Sequence, residues 1–283
     1  MDELKRLRQE LHKNPELSNN ESDTALRLKF FLSRCKPDDL IQGIGGEGIL
    51  AVYNGAEPGP DVLFRADMDA LPIIETNELN YTSVKKGVAH MCGHDGHMAI
   101  LSGLAVSLSH NRPKRGRALL LFQPAEETGE GAFRALKDIN MRGFNPEFAF
   151  ALHNMPRYPK GAVLINHGTF AAASKGMVIK LFGKSSHAAE PEKGLSPALA
   201  VARTIEGLVQ LSKSVRLFHG YVLLTVIYAK LGEVAFGTTP GYAEVCATLR
   251  AFNNEDMHLL TKFSEELVRK VAQEQPFLLS KIY

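Results

Sequence analysis

The chain has 283 residues, 45% of them hydrophobic and 23% charged, with a formal net charge of +2, enough for one large or two moderate domains with a sizeable core. So small a charge offers no electrostatic case for binding nucleic acid or an acidic membrane surface, and no apolar run approaches the ~20 residues of a membrane span. The opening "MDELKRLRQELHKNPEL" is charged and amphipathic and lacks the apolar centre of a signal peptide; three dispersed cysteines, Cys35, Cys92 and Cys246, suggest no disulfide framework and fit a reducing cytoplasm.

Leu4, Leu7 and Leu11 recur at helical spacing, and after a turn at Asn14-Pro15 so do Ala25, Leu28, Leu32 and Cys35, in a helix whose capping residues place its start near Ser22 or Asp23. "GILAVYNG" and "DVLFRADM" read as short apolar strands separated by the turn cluster "AEPGP". "HMAILSGLAVSLSH" has the length and composition of a helix, "RALLLFQPAEE" is a buried strand running into Pro124 and two acids, and "FAFALHN" is a further buried strand ending at His153. Strands alternating with helices predict an α/β layer around a mostly parallel sheet, with helices on both faces. After residue 170 the pattern changes. "GMVIKLFGKSSHAA", "YVLLTVIYAKLGE" and "GYAEVCATLRAF" read as strands, and "SPALAVARTIEGLVQLSKSV" and "NEDMHLLTKFSEELVRKVAQEQ" as helices. That order suits a small antiparallel sheet with helices on one face, a ferredoxin-like α+β domain, with the boundary near residue 172.

"GVAHMCGHDGHMAI" places a cysteine and three histidines within eight positions. Cys92 and His94 are two apart and can face one ion; His94 and His97 share a face if the helix begins early. Thiolate and imidazole together suit zinc, with cobalt, nickel and manganese open as well; the alternative is a histidine-rich surface loop. In "QPAEE", Glu126 and Glu127 put like charges against a core, which is costly unless a cation neutralises them, or else they favour an exposed helix N-terminus. "RADMDALP" repeats the pattern with Asp67 and Asp69. All four acids and His153 fall at the C-terminal ends of predicted strands, where α/β sheets bind ligands, and their joint occurrence there points to a metal site. His187 sits in the polar turn "GKSSHAAEPEKG", where a lone histidine ordinarily belongs to the surface, and Arg250 reads as a strand-edge cation or a substrate clamp.

The strings "LRQELHKNPELSNNE", "RADMDALPI", "HMCGHDGHMA", "LFQPAEE", "ALHNMP" and "GKSSHAAEPEKGLSPA" occur in an order and over a length that resembles the M20 family of metallo-amidohydrolases and metallopeptidases, in its aminoacylase-, hippurate-hydrolase- and auxin-conjugate-hydrolase-like branch. The resemblance implies a dinuclear centre, of zinc or manganese, with cobalt or nickel as alternatives. Cys92, His94, Glu127 and His153 are then its ligands, Glu126 its general base, and Asp69 its supporting acid. Asp67 occupies the place where peptidase branches carry a histidine. His187 corresponds to a lid-domain histidine that reaches an active site, in dimeric members the partner's. It also implies a catalytic domain at 1–172, an inserted lid and dimerisation domain at 173–275, and at 276–283 the start of a return to the catalytic domain that would supply a further histidine ligand. On this reading the chain stops short of that return, and "VAFGTTPGYAE" stands where many members carry an "NVIP"-like string. The expected protein is a cytoplasmic homodimeric amidohydrolase acting on N-acyl amino acids or similar small amides. The rivals are a family member that binds metal weakly and only dimerises through its lid, and a hydrolase using Cys92 as nucleophile.

Overall fold

A computed structural model describes residues 1–141, 143–275 and 278–283. It divides into two compact units, Met1–Lys160 and Gly161–Tyr283.

In the first unit, helices α1 (Asp2–Lys13) and α2 (Ser22–Ser33) precede strands β1 (Asp39–Ile44), β2 (Gly48–Asn54) and β3 (Glu57–Asp67); then come α3 (His94–His110), β4 (Arg115–Gln123), α4 (Gly131–Met141) and β5 (Phe148–Ala151). The sheet order is β1-β2-β4-β3-β5. Its β4-β3-β5 part is parallel, as expected; β2 joins β4 antiparallel, and β1, which the sequence patterns do not reveal, pairs back on β2 through the short connection at 45–47. The central strands are apolar at consecutive positions because both faces are covered. Ile49, Ala51 and Tyr53 of β2 and Ala118, Leu120 and Phe122 of β4 pack with Leu7, Leu11, Leu28, Leu32 and Met98 from α1, α2 and α3. The alternate residues Leu50, Val52, Leu119 and Leu121 pack with Ala135 of α4 and Phe144 on the opposite face. The expectation of a buried β5 is corrected: all four of its residues are exposed, Phe148 at 54% and Phe150 at 56%. The strand lies at the sheet edge, paired among the described residues to β3 alone, and Phe150 stacks on Phe64 at 5.6 Å.

The register positions the site. Asp67 of β3 lies opposite Gln123 of β4, and Arg65 opposite Ala151 of β5, so three parallel strands end at nearly the same level. The segments that follow them carry Asp69, Glu126 with Glu127, and His153.

The second unit contains β6 (Ala173–Phe182), α5 (Ala198–Leu211), β7 (Val222–Leu231), β8 (Tyr242–Ala251), α6 (Asn254–Gln273) and β9 (Leu279–Ile282). Its antiparallel sheet has the order β7-β8-β6-β9. One face is alternating apolar, with Met177, Ile179, Leu181, Val245 and Leu249 packed against Leu208 of α5 and Leu260 and Val268 of α6. Asn253 caps α6 by accepting the Asp256 N–H at 2.7 Å. Residues 279–282 do not begin a return to the first unit; they complete the βαββαβ pattern by pairing with β6 along Ile179–Phe182.

Candidate metal centre

Gly93 opens the site. Its φ of +91° is a left-handed conformation that glycine takes without strain, and a Cβ there would lie 2.4 Å from Asn154 Oδ1. With Gly93 as N-cap, α3 starts at His94, three residues earlier than its apolar pattern suggests, so His94 and His97 do share a helix face, with ring centroids 5.5 Å apart.

His94 is fully buried and His153 is exposed, yet both are oriented by the same device. His94 Nδ1 lies 2.8 Å from the backbone carbonyl of Asp69, and His153 Nδ1 lies 2.9 Å from that of Asn154. A carbonyl only accepts, so each Nδ1 carries the proton and each Nε2 is left to face the cluster. His94 Nε2 has no hydrogen-bond partner among the described residues. Glu127 Oε1 is 3.9 Å from it, and Cys92 Sγ is 3.3 Å from His153 Nε2. Cys92, His94 and His153 each offer one ligand atom within 4.8 Å of the others; so do His94, Glu126 and Glu127, and so do Asp67, His94 and His97. Three sets sharing His94, built from thiolate, imidazole and carboxylate, are a donor chemistry that fits divalent ions.

The electrostatics agree with that fit. Burial opposes charge on His94, but the facing groups of Asp69, Cys92 and Asp67 carry its pKa up to about 11, so the surroundings favour a positive charge at this position. Burial pushes Asp67 up to about 6 against the pull of Arg65, with which it is ion-paired, and His94. Asp69 is buried as well, which raises it, but the His94 imidazole 3.6 Å from Oδ1 and hydrogen bonds from Ser18 and the backbone of Glu127 prevail and hold it at about 2. Burial also raises Glu127, partly offset by His94. Asp69 is thus a carboxylate throughout the working range. It ties three segments together, taking the Ser18 hydroxyl at 2.7 Å and the Glu127 N–H at 2.9 Å on Oδ2, and His94 on its carbonyl.

The first unit therefore brings together Cys92, His94, His153, Glu126, Glu127, Asp69 and Asp67. His187 belongs to the second unit, where it bridges to Thr238 and accepts the Ala189 N–H on Nδ1 at 3.1 Å. Sequence patterns alone left three contributors without a role. His97 joins the Asp67 and His94 set and lies 2.6 Å from Asn154 Oδ1 through Nε2, and Ser18 and Glu21 reach the site from "LSNNE", a stretch whose only signal was its place in a matching string.

Residues 63–276 match the model of peptidase family M20/M25/M40, and the chain belongs to that family. It is 34% identical over 258 residues to an N-acetyl-L-cysteine deacetylase of Bacillus subtilis, spanning 88% of this chain and 59% of that one. It is 32% identical over 270 residues to an N-acetyldiaminopimelate deacetylase of Geobacillus thermodenitrificans, spanning 94% and 70%. A solved structure from Bacillus subtilis, described as a dinuclear metal binding peptidase of the M20 family, superposes over 100% of this chain and 72% of its own with a TM-score of 0.73 at 27% identity. The chain thus spans between about three-fifths and three-quarters of these relatives' lengths.

Proposed function

We propose that the chain belongs to a metal-dependent amidohydrolase that splits an N-acyl amino acid, or a similar small amide, into acid and amine. The observation that carries this reading is the pair of carbonyl-pinned histidines, His94 and His153, presenting Nε2 beside Cys92 and Glu127. These four residues would hold two divalent ions, zinc or manganese. Bound there, such ions would supply Lewis acidity toward the amide carbonyl and toward the attacking water near neutral pH.

The remaining work falls to side chains. Glu126, half-buried and within ligand reach of His94 and Glu127, accepts a proton from the attacking water at a carboxylate oxygen. It then delivers that proton to the amide nitrogen as the C–N bond breaks. Asp69 holds His94 and the Glu127 backbone in place. His187, from a lid and dimerisation domain, stabilises the oxyanion. The catalytic domain of this scheme lies within 1–172, and the lid runs from 173 through β9 at Leu279–Ile282. Free cysteines favour the cytoplasm. Among the described residues no helix is long and apolar enough to cross a membrane.

The 3.3 Å approach of Cys92 Sγ to His153 Nε2 also supports a second reading, a cysteine nucleophile with a histidine base. Chelation separates the two. The metal reading predicts that removing metal abolishes release of carboxylic acid from N-acetylcysteine or N-acetyldiaminopimelate, and that zinc or manganese restores it. Full turnover by the metal-free protein, lost on alkylation of Cys92, would establish the second reading instead.

A further inference from the structure

We infer that Glu21 is a positioning residue for the two acids of the centre: its buried carboxylate holds the backbone of the turn at Ala125 and thereby aims Glu126 and Glu127. The inference rests on the proposed roles of those two acids and deepens them.

Glu21 is completely buried. It stands at the N-cap of α2, where a side chain ordinarily accepts an N–H of its own helix, yet it makes no such bond. Its Oε1 accepts instead the N–H of Ala125, 104 residues away, at 2.7 Å. Ala125 has a φ of +50°, left-handed backbone that disfavours a residue bearing a Cβ, so this turn must be held by its surroundings. Two residues on, the Glu127 N–H is held by Asp69 Oδ2 at 2.9 Å. The backbone on both sides of Glu126 is therefore pinned by buried carboxylates. The carbonyls of the turn are tied as well: that of Ala125 accepts the Gly131 N–H at 3.0 Å, and that of Glu126 accepts the Gly129 N–H at 2.8 Å. A Cβ on Gly131 would lie 1.7 Å from the Pro124 carbonyl, so the return of the chain is equally constrained.

The segment holding Glu21 also holds the second clamp, through Ser18 on Asp69 Oδ2 at 2.7 Å and through the Glu16 carbonyl on the Ala70 N–H at 2.7 Å. Glu21 Oε2 has no partner among the described residues, so no ion pair accounts for burying this acid. A buried acid that gave only packing would be worse than an apolar residue of like size. Its return is the conformation of Ala125.

The test uses the whole chain with Glu21→Leu and Glu21→Gln, each alone and combined with Ala125→Gly. The readouts are zinc affinity by titration of the metal-free protein, the visible spectrum of its cobalt form, and kcat and KM for amide hydrolysis. Glu21→Gln retains an accepting oxygen and is expected within about threefold of the parent. Glu21→Leu is expected to weaken metal binding at least about 10-fold, as loss of a supporting hydrogen bond around a metal site does, to alter the cobalt spectrum, and to lower kcat more than it raises KM. Ala125→Gly should recover much of that loss, because glycine adopts φ +50° unaided.

Parent-like metal affinity and spectrum in Glu21→Leu would overturn the inference. So would equal loss in the presence and absence of Ala125→Gly. Should Glu21→Leu fail to fold, the Gln variant decides: a tenfold loss there would overturn the inference too. Failure of the underlying reading shows separately, as retained turnover in Glu126→Gln or retained affinity in Glu127→Ala.

Discussion

Cys92 is half-exposed, shares one ligand set with His94 and His153, and has a histidine nitrogen 3.3 Å from its sulfur. A serine hydroxyl in its place is a far weaker donor for zinc than a thiolate. Cys92→Ser is therefore expected to lower zinc affinity by at least about 10-fold with little change in thermal stability of the metal-free protein, since the side chain lies outside the core. Titration calorimetry and a melting curve check both halves, and unchanged affinity would remove Cys92 from the ligand set. At this scale the sequence was most informative where chemistry is uncommon: adjacent acids after an apolar strand, or cysteine two residues from histidine, point to a cation whatever the fold. Glu21 and Ser18 carried no such signal, because a buried carboxylate that serves a backbone N–H 104 residues away cannot be told from a helix cap by spacing alone.

α1 and α3 are locked by a charge chain that continues directly from the ligand helix. Asp95, next to His94, takes Arg8 Nε and His12 Nδ1 on Oδ2 at 3.0 Å each, and His12 Nε2 lies 3.0 Å from Glu75 Oε1. Asp95 raises the His12 pKa above its ordinary 6.5, outweighing burial, and Glu75 adds to the effect. A folded pKa above the unfolded one means protonated His12 stabilises the fold fully below about pH 6.5, and that this contribution is lost as pH rises through the raised value. Compared with His12→Gln, the metal-free parent should therefore show a stability advantage that shrinks as pH rises above about 6.5. Urea midpoints across that range test it, and an advantage that grew with pH would contradict the raised pKa. Elements were legible where burial matched composition, as in β2 and β4. β5 reads as buried because it is apolar, but burial depends on neighbours and its outer edge has none among the described residues. β1, half-exposed with Gly43 at φ +80°, and the four-residue β9, defined only by pairing with β6 about 100 residues earlier, lack the regular patterning that marks a strand.

Across the whole molecule, each parallel strand that ends beneath the site delivers its acid or histidine through a few further residues, so the register of β3, β4 and β5 sets the spacing of the donors. The second unit contributes His187 on the proposed reading. If that histidine serves as an oxyanion donor, His187→Ala should lower turnover by roughly 10²-fold with little loss of stability, because the residue is exposed. If the donor crosses a dimer, mixing His187→Ala chains with Glu126→Gln chains should restore part of the activity, as each mixed pair holds one site with both residues intact. Unchanged turnover in His187→Ala would end the proposed role. The central claim is that Glu126 moves the proton while its neighbour holds the metal, and one experiment addresses it most directly: metal stoichiometry and turnover measured together on Glu126→Gln. The account predicts metal content equal to the parent's with turnover reduced by at least about 10²-fold; near-parent turnover at full metal content would contradict it.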